Sequence, residues 1–272
     1  MKTIIVCFPF DLFGSAGAGN GAKLLADAIR EMLADNRREK VPTRALAYAG
    51  KVQVREESFD TLASYQNWRQ RSRRFIEKTW KRGDRVIWIT GNHLGTLPVY
   101  DALAQSSDSA VIQFDAHLDV YNLTDCTSEL SHGNFLLHVD GRLPPIINVG
   151  HRELLLRPDY VGQYYQTIYS NSQLAVDPAP AIRAVQQASR SAQRVFIDLD
   201  CDVFDPAYFP AVSHPAPFGL SPALLLRFLE VCWCQNVVGL AISEFDPACD
   251  DKDRSLATLV WLIEYLLLKQ YE

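Results

Sequence analysis

Short, continuously apolar runs alternate with longer stretches of helical periodicity from one end of the chain to the other. Val86-Ile-Trp-Ile89, Ala110-Val-Ile112, Val195-Phe-Ile197 and Val237-Val-Gly-Leu-Ala-Ile242 lack the apolar–polar alternation of a half-exposed strand. They read instead as strands covered on both faces. The pattern predicts strands over 3–8, 43–48, 85–90, 110–115, 145–149, 166–169, 194–200 and 237–243. Helices are predicted over 20–35, 64–81, 96–105, 133–139, 179–191, 221–232 and 254–269. This alternation implies an α/β three-layer sandwich built on a parallel sheet of about eight strands. No repeat, low-complexity tract or linker interrupts it, so residues 1–272 are expected to form a single domain. The proline-rich stretches 142–145 and 209–222 are expected to be ordered loops within it.

Ligands of open parallel sheets bind beyond the carboxyl ends of the strands, and the polar residues of this chain fall there. His93 follows the run 86–90, Asp115-Ala-His-Leu-Asp119 follows 110–114, and Asp200-Cys-Asp202 follows 195–199. His151 follows 146–150 and Glu244 follows 240–243. Alternate residues of an extended backbone point to one side. Asp115, His117 and Asp119 are therefore expected to converge, as are Asp198, Asp200 and Asp202. Gathering that many carboxylates at the end of a buried strand is prohibitive without cations between them. The expected metal ligands are His93, Asp115, His117, Asp119, Asp200 and Asp202. Their four aspartates, about four negative charges, would balance two divalent ions. Carboxylates and imidazoles without thiolate suit Mn(II) best, with zinc second. Two ions sharing carboxylates would turn a water into a nucleophile at neutral pH.

Composition narrows the setting. With 272 residues, 48% of them hydrophobic, and a formal charge of -5, the chain gives no electrostatic reason to expect nucleic acid or an anionic membrane as a partner. No apolar run approaches the roughly 18 residues that span a bilayer. The start, Met1 to Pro9, reads as a first buried strand, because Pro9, Asp11 and a glycine-rich loop follow at once. The six cysteines show no CxxC spacing, and a cytoplasmic location without disulfides is expected.

The motifs resemble the ureohydrolase family, which includes arginase, agmatinase and formimidoylglutamase. The match runs in order through Gly91-Asn-His93, Asp115-Ala-His-Leu-Asp119, Ser131-His-Gly133, Asp200-Cys-Asp-Val-Phe-Asp-Pro206 and Glu244. The resemblance implies an eight-stranded parallel sheet, two Mn2+ per chain and hydrolysis of a small guanidino compound. It places His93 on one ion and His117 on the other, with Asp115 and Asp200 bridging and Asp119 and Asp202 completing one ion each. Asp119 stands with His132 and Glu244 among the catalytic groups. His132 takes the place of the proton shuttle, and Glu244 that of the carboxylate that orients the guanidinium. Ser128 lies where arginases contact a substrate carboxylate, and His214 and His151 lie near expected substrate contacts. Products would be urea or hydroxyurea and an amine, from arginine or an arginine derivative. N-hydroxy-arginine is favoured because the family has a hydroxyarginine-hydrolysing branch of comparable length. Homo-oligomers are common in the family.

The chain also departs from the family. Asn92 replaces an acid, Asp198 replaces a serine, and Phe218 stands at one position of a double-glycine loop. Leu154, Leu155 and Leu156 occupy a segment where arginases carry an acid. Simpler roles compete with some assignments. Asp115, His117 and Asp119 could cap helices, His132 could be an ordinary helix-start residue, and Glu244 could neutralise Arg152. Cys201 is expected to be a buried spacer, His138 a helix-packing residue, and the glycines at 14, 17, 19 and 21 a flexible loop at the sheet rim. The competing functions are an agmatinase- or formimidoylglutamase-like hydrolase, a zinc amidohydrolase of the deacetylase type, and a non-catalytic guanidino-compound binder.

Overall fold

Each strand of the sheet sends alternate side chains into two different apolar layers, which is what the unbroken apolar runs require. The computed structural model describes residues 1–59, 61–106 and 108–272. Its strands are β1 (Thr3–Phe8), β2 (Val52–Glu56), β3 (Arg85–Thr90), β4 (Ser109–Phe114), β5 (Ile146–His151), β6 (Thr167–Ser170), β7 (Arg194–Asp200) and β8 (Val237–Ser243). They form one sheet in the order β2-β1-β3-β8-β7-β4-β5-β6. Every pairing is parallel. The helices are α1 (Ala18–Asn36), α2 (Tyr65–Lys81), α3 (Leu97–Ala104), α4 (Pro158–Val161), α5 (Asn171–Val176), α6 (Ala179–Ser191), α7 (Pro222–Cys232) and α8 (Arg254–Tyr271).

Ile5, Cys7, Ile87 and Ile89 join one core with Leu25 and Ile29 of α1, Phe228 of α7 and Leu266 of α8. Ile4, Val6, Val86 and Trp88 join the other, with Trp68 and Ile76 of α2 and Leu97 and Tyr100 of α3. Two cores separated by a sheet make the three layers expected from the sequence. No helix among the described residues is long and apolar enough to cross a membrane.

One predicted strand is overturned. Residues 43–48 contain a 3₁₀ turn at Arg44–Ala47, and the strand beside β1 is Val52–Glu56 instead. Ala45 and Tyr48, three apart, are buried while Leu46 between them is exposed, the spacing of a 3₁₀ turn. β2 is an edge strand with only Val52 buried, so its polar alternation hides it from a search for continuous apolar runs. The segment predicted as a helix over 133–139 is a 3₁₀ helix at His132–His138. α4 and α5 have no counterpart in the prediction, being too short to show a helical period.

The central strands β3, β8, β7 and β4 are contiguous, so their carboxyl ends face one place. The glycine-rich segment, expected to be a flexible rim loop, is instead pressed onto it. A Cβ on Gly21, in the first turns of α1, would lie 1.8 Å from the carbonyl oxygen of Phe245, just beyond β8. Helix propensity alone favours alanine over glycine by about 1 kcal/mol. Gly21→Ala is nevertheless expected to destabilise the protein by about 1–3 kcal/mol, the range for forced overpacking. Chemical denaturation reads this directly, and an unchanged or raised midpoint would show that α1 does not press on that carbonyl.

Candidate metal centre and active site

Four adjacent strand ends deliver the site. β3 leads through Gly91 to His93, β4 to Asp115, β7 to Asp200 and Asp202, and β8 to Glu244. Asp115 and Asp200 converge as expected, but the chain after β4 is a turn rather than an extended segment. Asp115 accepts from the His117 backbone N–H at 2.6 Å, and Asp119 adopts a left-handed φ of 45°. Asp202 sits in a 3₁₀ turn whose backbone N–H donates to Asp200 at 3.0 Å. It reaches across to accept from the Ala116 N–H at 3.1 Å, locking the β4 and β7 ends together. Arg152, which could have paired with Glu244, instead donates to the carbonyls of Gly150, Asp202, Val203 and Ala216. It braces the loops beneath the site.

Nδ1 of His93 lies 3.2 Å from Asp115, 2.9 Å from Asp119 and 3.1 Å from Asp200. Nδ1 of His117 lies 2.8 Å from Asp202 and 3.9 Å from the other oxygen of Asp115. Two sets of donor atoms result, His93/Asp115/Asp200 and Asp115/His117/Asp202, each within 4.8 Å and sharing Asp115. Five of the six expected metal ligands fall in these sets, and the sixth, Asp119, meets them through its 2.9 Å contact with His93. The donor chemistry fits two hard or borderline divalent cations. Two unsatisfied atoms make the same point, since Nδ1 of His93 and Oδ2 of Asp115 are buried without a well-formed hydrogen bond.

The electrostatics show what the cluster does without cations. Burial, then Asp119, raises the Asp115 carboxyl to about 7. Burial, then Asp202, raises Asp200 well above the carboxylate range. Burial would lower His93, but Asp198, Asp115 and Asp119 more than offset it and hold the imidazole well above its usual value. Burial would also lower His117, yet Asp202 dominates and raises it to about 10. Asp202 itself falls to about 2, because His117 outweighs its burial. Protons therefore do what cations would otherwise do.

Glu244, buried and at a φ of 60°, accepts from the His93 backbone N–H at 3.0 Å. The same carboxylate oxygen lies 3.3 Å from Nδ1 of His132, whose pKa it raises. These groups open onto a cavity of about 260 Å³, also lined by Ser15, Tyr121, Gly133, Val212, Ser213 and His214. Ser128 and His151 are not among its lining residues. His151 is buried in β5, where burial lowers its pKa to about 4. His138 is partly buried in the 3₁₀ helix, and Cys201 is fully buried behind the ligands.

Sequence reasoning missed Ser15, Tyr121, Ser213 and Glu153. Tyr121 lies two residues beyond Asp119 and donates to Glu153 at 2.6 Å. Glu153 is the acid overlooked beside the leucine run, whose Leu155 and Leu156 N–H groups donate to it. The Asn92 amide donates to the Leu12 carbonyl at 2.9 Å rather than to the His93 ring.

Comparison with known proteins bears on the family and the fold. A family model described as the arginase family matches residues 1–268. An agmatinase of Serratia proteamaculans is 27% identical over 197 residues, 71% of this chain and 62% of that protein. The chain thus spans less than two thirds of the length of such curated relatives. An arginase of Bacillus subtilis superposes with a TM-score of 0.81 at 20% identity, covering 98% of each chain. An agmatine ureohydrolase of Thermoplasma volcanium gives 0.77 at 21% identity, covering 99% of this chain and 89% of that one.

A proton on a ligand competes with the cation, so raising the pH removes the competitor. Asp115 at about 7 and His117 at about 10 both hold protons near neutrality in the metal-free protein. Affinity for a divalent cation is expected to climb through about pH 7 and onward to about pH 10, with protons released on binding. Calorimetry in buffers of different ionisation enthalpy measures that release; heats independent of the buffer would contradict it.

Proposed function

Because this chain belongs to the arginase family, we propose that it is a metal-dependent hydrolase cleaving a C–N bond of a small guanidino compound. The observation that carries this reading is the pair of donor sets sharing Asp115, with Glu244 and His132 at their edge. His93, Asp115, Asp119 and Asp200 would hold one cation, and His117, Asp115, Asp200 and Asp202 the other. Manganese suits this carboxylate-rich set. When bound, the pair would supply Lewis acidity and a water that ionises near neutral pH.

The protein's own residues account for the rest. Glu244 is fixed by the His93 N–H and offers a buried carboxylate to a planar guanidinium. Water adds to the guanidinium carbon, the bond to the chain nitrogen breaks, and that nitrogen leaves as an amine after taking a proton. His132 is placed to give it, since Glu244 keeps its imidazole protonated to higher pH than usual. The second product is urea, or hydroxyurea from an N-hydroxylated guanidine.

N-hydroxy-arginine is one substrate reading, drawn from the motifs. Agmatine is the other, supported by similarity to agmatinases and by a described cavity lining with no lysine or arginine to pair with a substrate carboxylate. We place the reaction in the cytoplasm, as expected from the cysteine usage.

The test is a panel of arginine, N-hydroxy-arginine, agmatine and formimidoylglutamate with manganese-loaded protein, reading urea, hydroxyurea or formamide. His132→Ala should lower kcat by about 100- to 10,000-fold while metal content stays at two ions. Asp200→Ala should lose both metal and turnover. Loaded protein that binds guanidines yet turns over none would make it a binder instead.

A further inference from the structure

One row below the ligands, the same face of the sheet carries a second polar layer. Gln113 of β4 stands opposite Asp198 of β7 and opposite Asn148 of β5. Gln113 and Asp198 lie two residues before Asp115 and Asp200, and so project to the same side as those ligands. All three are fully buried. Polar side chains in such a place are costly unless bonded to one another, and here they are. The Tyr100 hydroxyl, from α3, donates to Asp198 at 2.6 Å. Gln113 donates to the Tyr100 oxygen at 3.4 Å. Asn148 donates to Gln113 at 3.1 Å and to the His117 carbonyl at 3.2 Å.

The His93 ring sits between the two rows. Its Nδ1 faces Asp115, Asp119 and Asp200, while Nε2 lies 2.9 Å from Oδ2 of Asp198. An N–H at Nε2 donating to Asp198 leaves the Nδ1 lone pair free toward the ligand carboxylates. It also fixes the ring plane, because the same carboxylate oxygen is anchored by Tyr100.

We propose that Asp198 is a positioning residue for the cation held by His93, acting by orienting that imidazole and raising its ligand basicity. This rests on the reading of His93 as a metal ligand. The amide at Asn92 cannot take the part, since it is turned to the N-terminal loop. The acid that meets the histidine comes from β7 instead.

Asp198→Asn keeps the shape but replaces an acceptor-only carboxylate. Manganese affinity at the His93 side should weaken by about 10- to 100-fold, as when a partner behind a ligating histidine is lost. The His117 side should be unaffected, so protein dialysed against limiting manganese should fall from two ions to one by elemental analysis. In a His93→Ala background the same substitution should change affinity no further, which a general loosening of the fold would not reproduce. Asp198→Ala carries the same test should Asp198→Asn fail to fold. Two ions retained at wild-type affinity would overturn the proposal, as would a loss that persists in the His93→Ala background. Wild-type protein that binds no cation would instead remove the ligand reading itself, so the two failures are told apart.

Discussion

The carboxylates crowded at the centre of the sheet are the constraint from which the rest of the structure follows. Asp115, Asp119, Asp198, Asp200, Asp202 and Glu244 are all buried at neighbouring strand ends. Two like charges 4 Å apart repel by about 4 kcal/mol at an effective dielectric of about 20. A few such pairs match the whole stability of a domain, about 5–15 kcal/mol. The cluster can persist only if positive charge enters it. Without cations, protons and imidazolium groups do so, which is why Asp115 and Asp200 are driven upward while Asp202, beside His117, is driven down. The same atoms could serve either protons or metal, and that competition is the physical consequence of the crowding.

Holding such groups together also needs a rigid frame, and the backbone records the strain. Asp119 and Glu244 adopt φ values of 45° and 60°, a region unfavourable for residues other than glycine. Glu244 lies immediately past β8 and Asp119 in the turn that follows β4, and both are pinned by neighbours. The Glu244 N–H donates to the Gly91 carbonyl at 2.7 Å. Tyr165 donates to the Leu118 carbonyl beside Asp119. The N-terminal loop closes the frame from above. Phe13 accepts from the His132 N–H at 3.2 Å, and a Cβ on Gly14 would lie 2.7 Å from the His132 ring. A segment that reads as a flexible glycine loop is therefore the surface against which His132 rests.

The central strands were legible because burial on both faces leaves an unambiguous apolar run, as in Val86-Ile-Trp-Ile89. β2 was not, since an edge strand obeys a different pattern and the Ala-rich stretch before it imitates a strand. The metal-binding candidates were legible because acids at the end of an apolar run have few inexpensive explanations. Their convergence was anticipated for a partly mistaken reason, however. Asp115 and Asp119 meet through a turn with a left-handed residue, not through extended alternation. Ser15, Tyr121, Ser213 and Glu153 were missed because each depends on how separate loops dock, which no local pattern encodes. Asp198 was visible as an added acid, but its pairing with His93 required the registers of β7 against β8 and of β8 against β3.

That division between legible and hidden residues has a chemical counterpart. Asp115 and Asp200 stand at strand ends fixed by the sheet, where a shift of one residue would turn a side chain to the opposite face, and the other candidate ligands lie in the short turns that follow. The groups that complete the cavity come from separate loops: Ser15 after β1, Tyr121 after β4, and Ser213 and His214 after β7. Loops tolerate exchange far better than buried strands do. Tyr121 is held in place by Glu153 from the β5 loop, so this wall depends on two connections at once. On the proposed function, such a layout would let the guanidinium end of a substrate be read by the buried carboxylates while the other end is read by replaceable walls. Hydrolytic chemistry and substrate choice, on that proposal, would fall to different parts of the same rim.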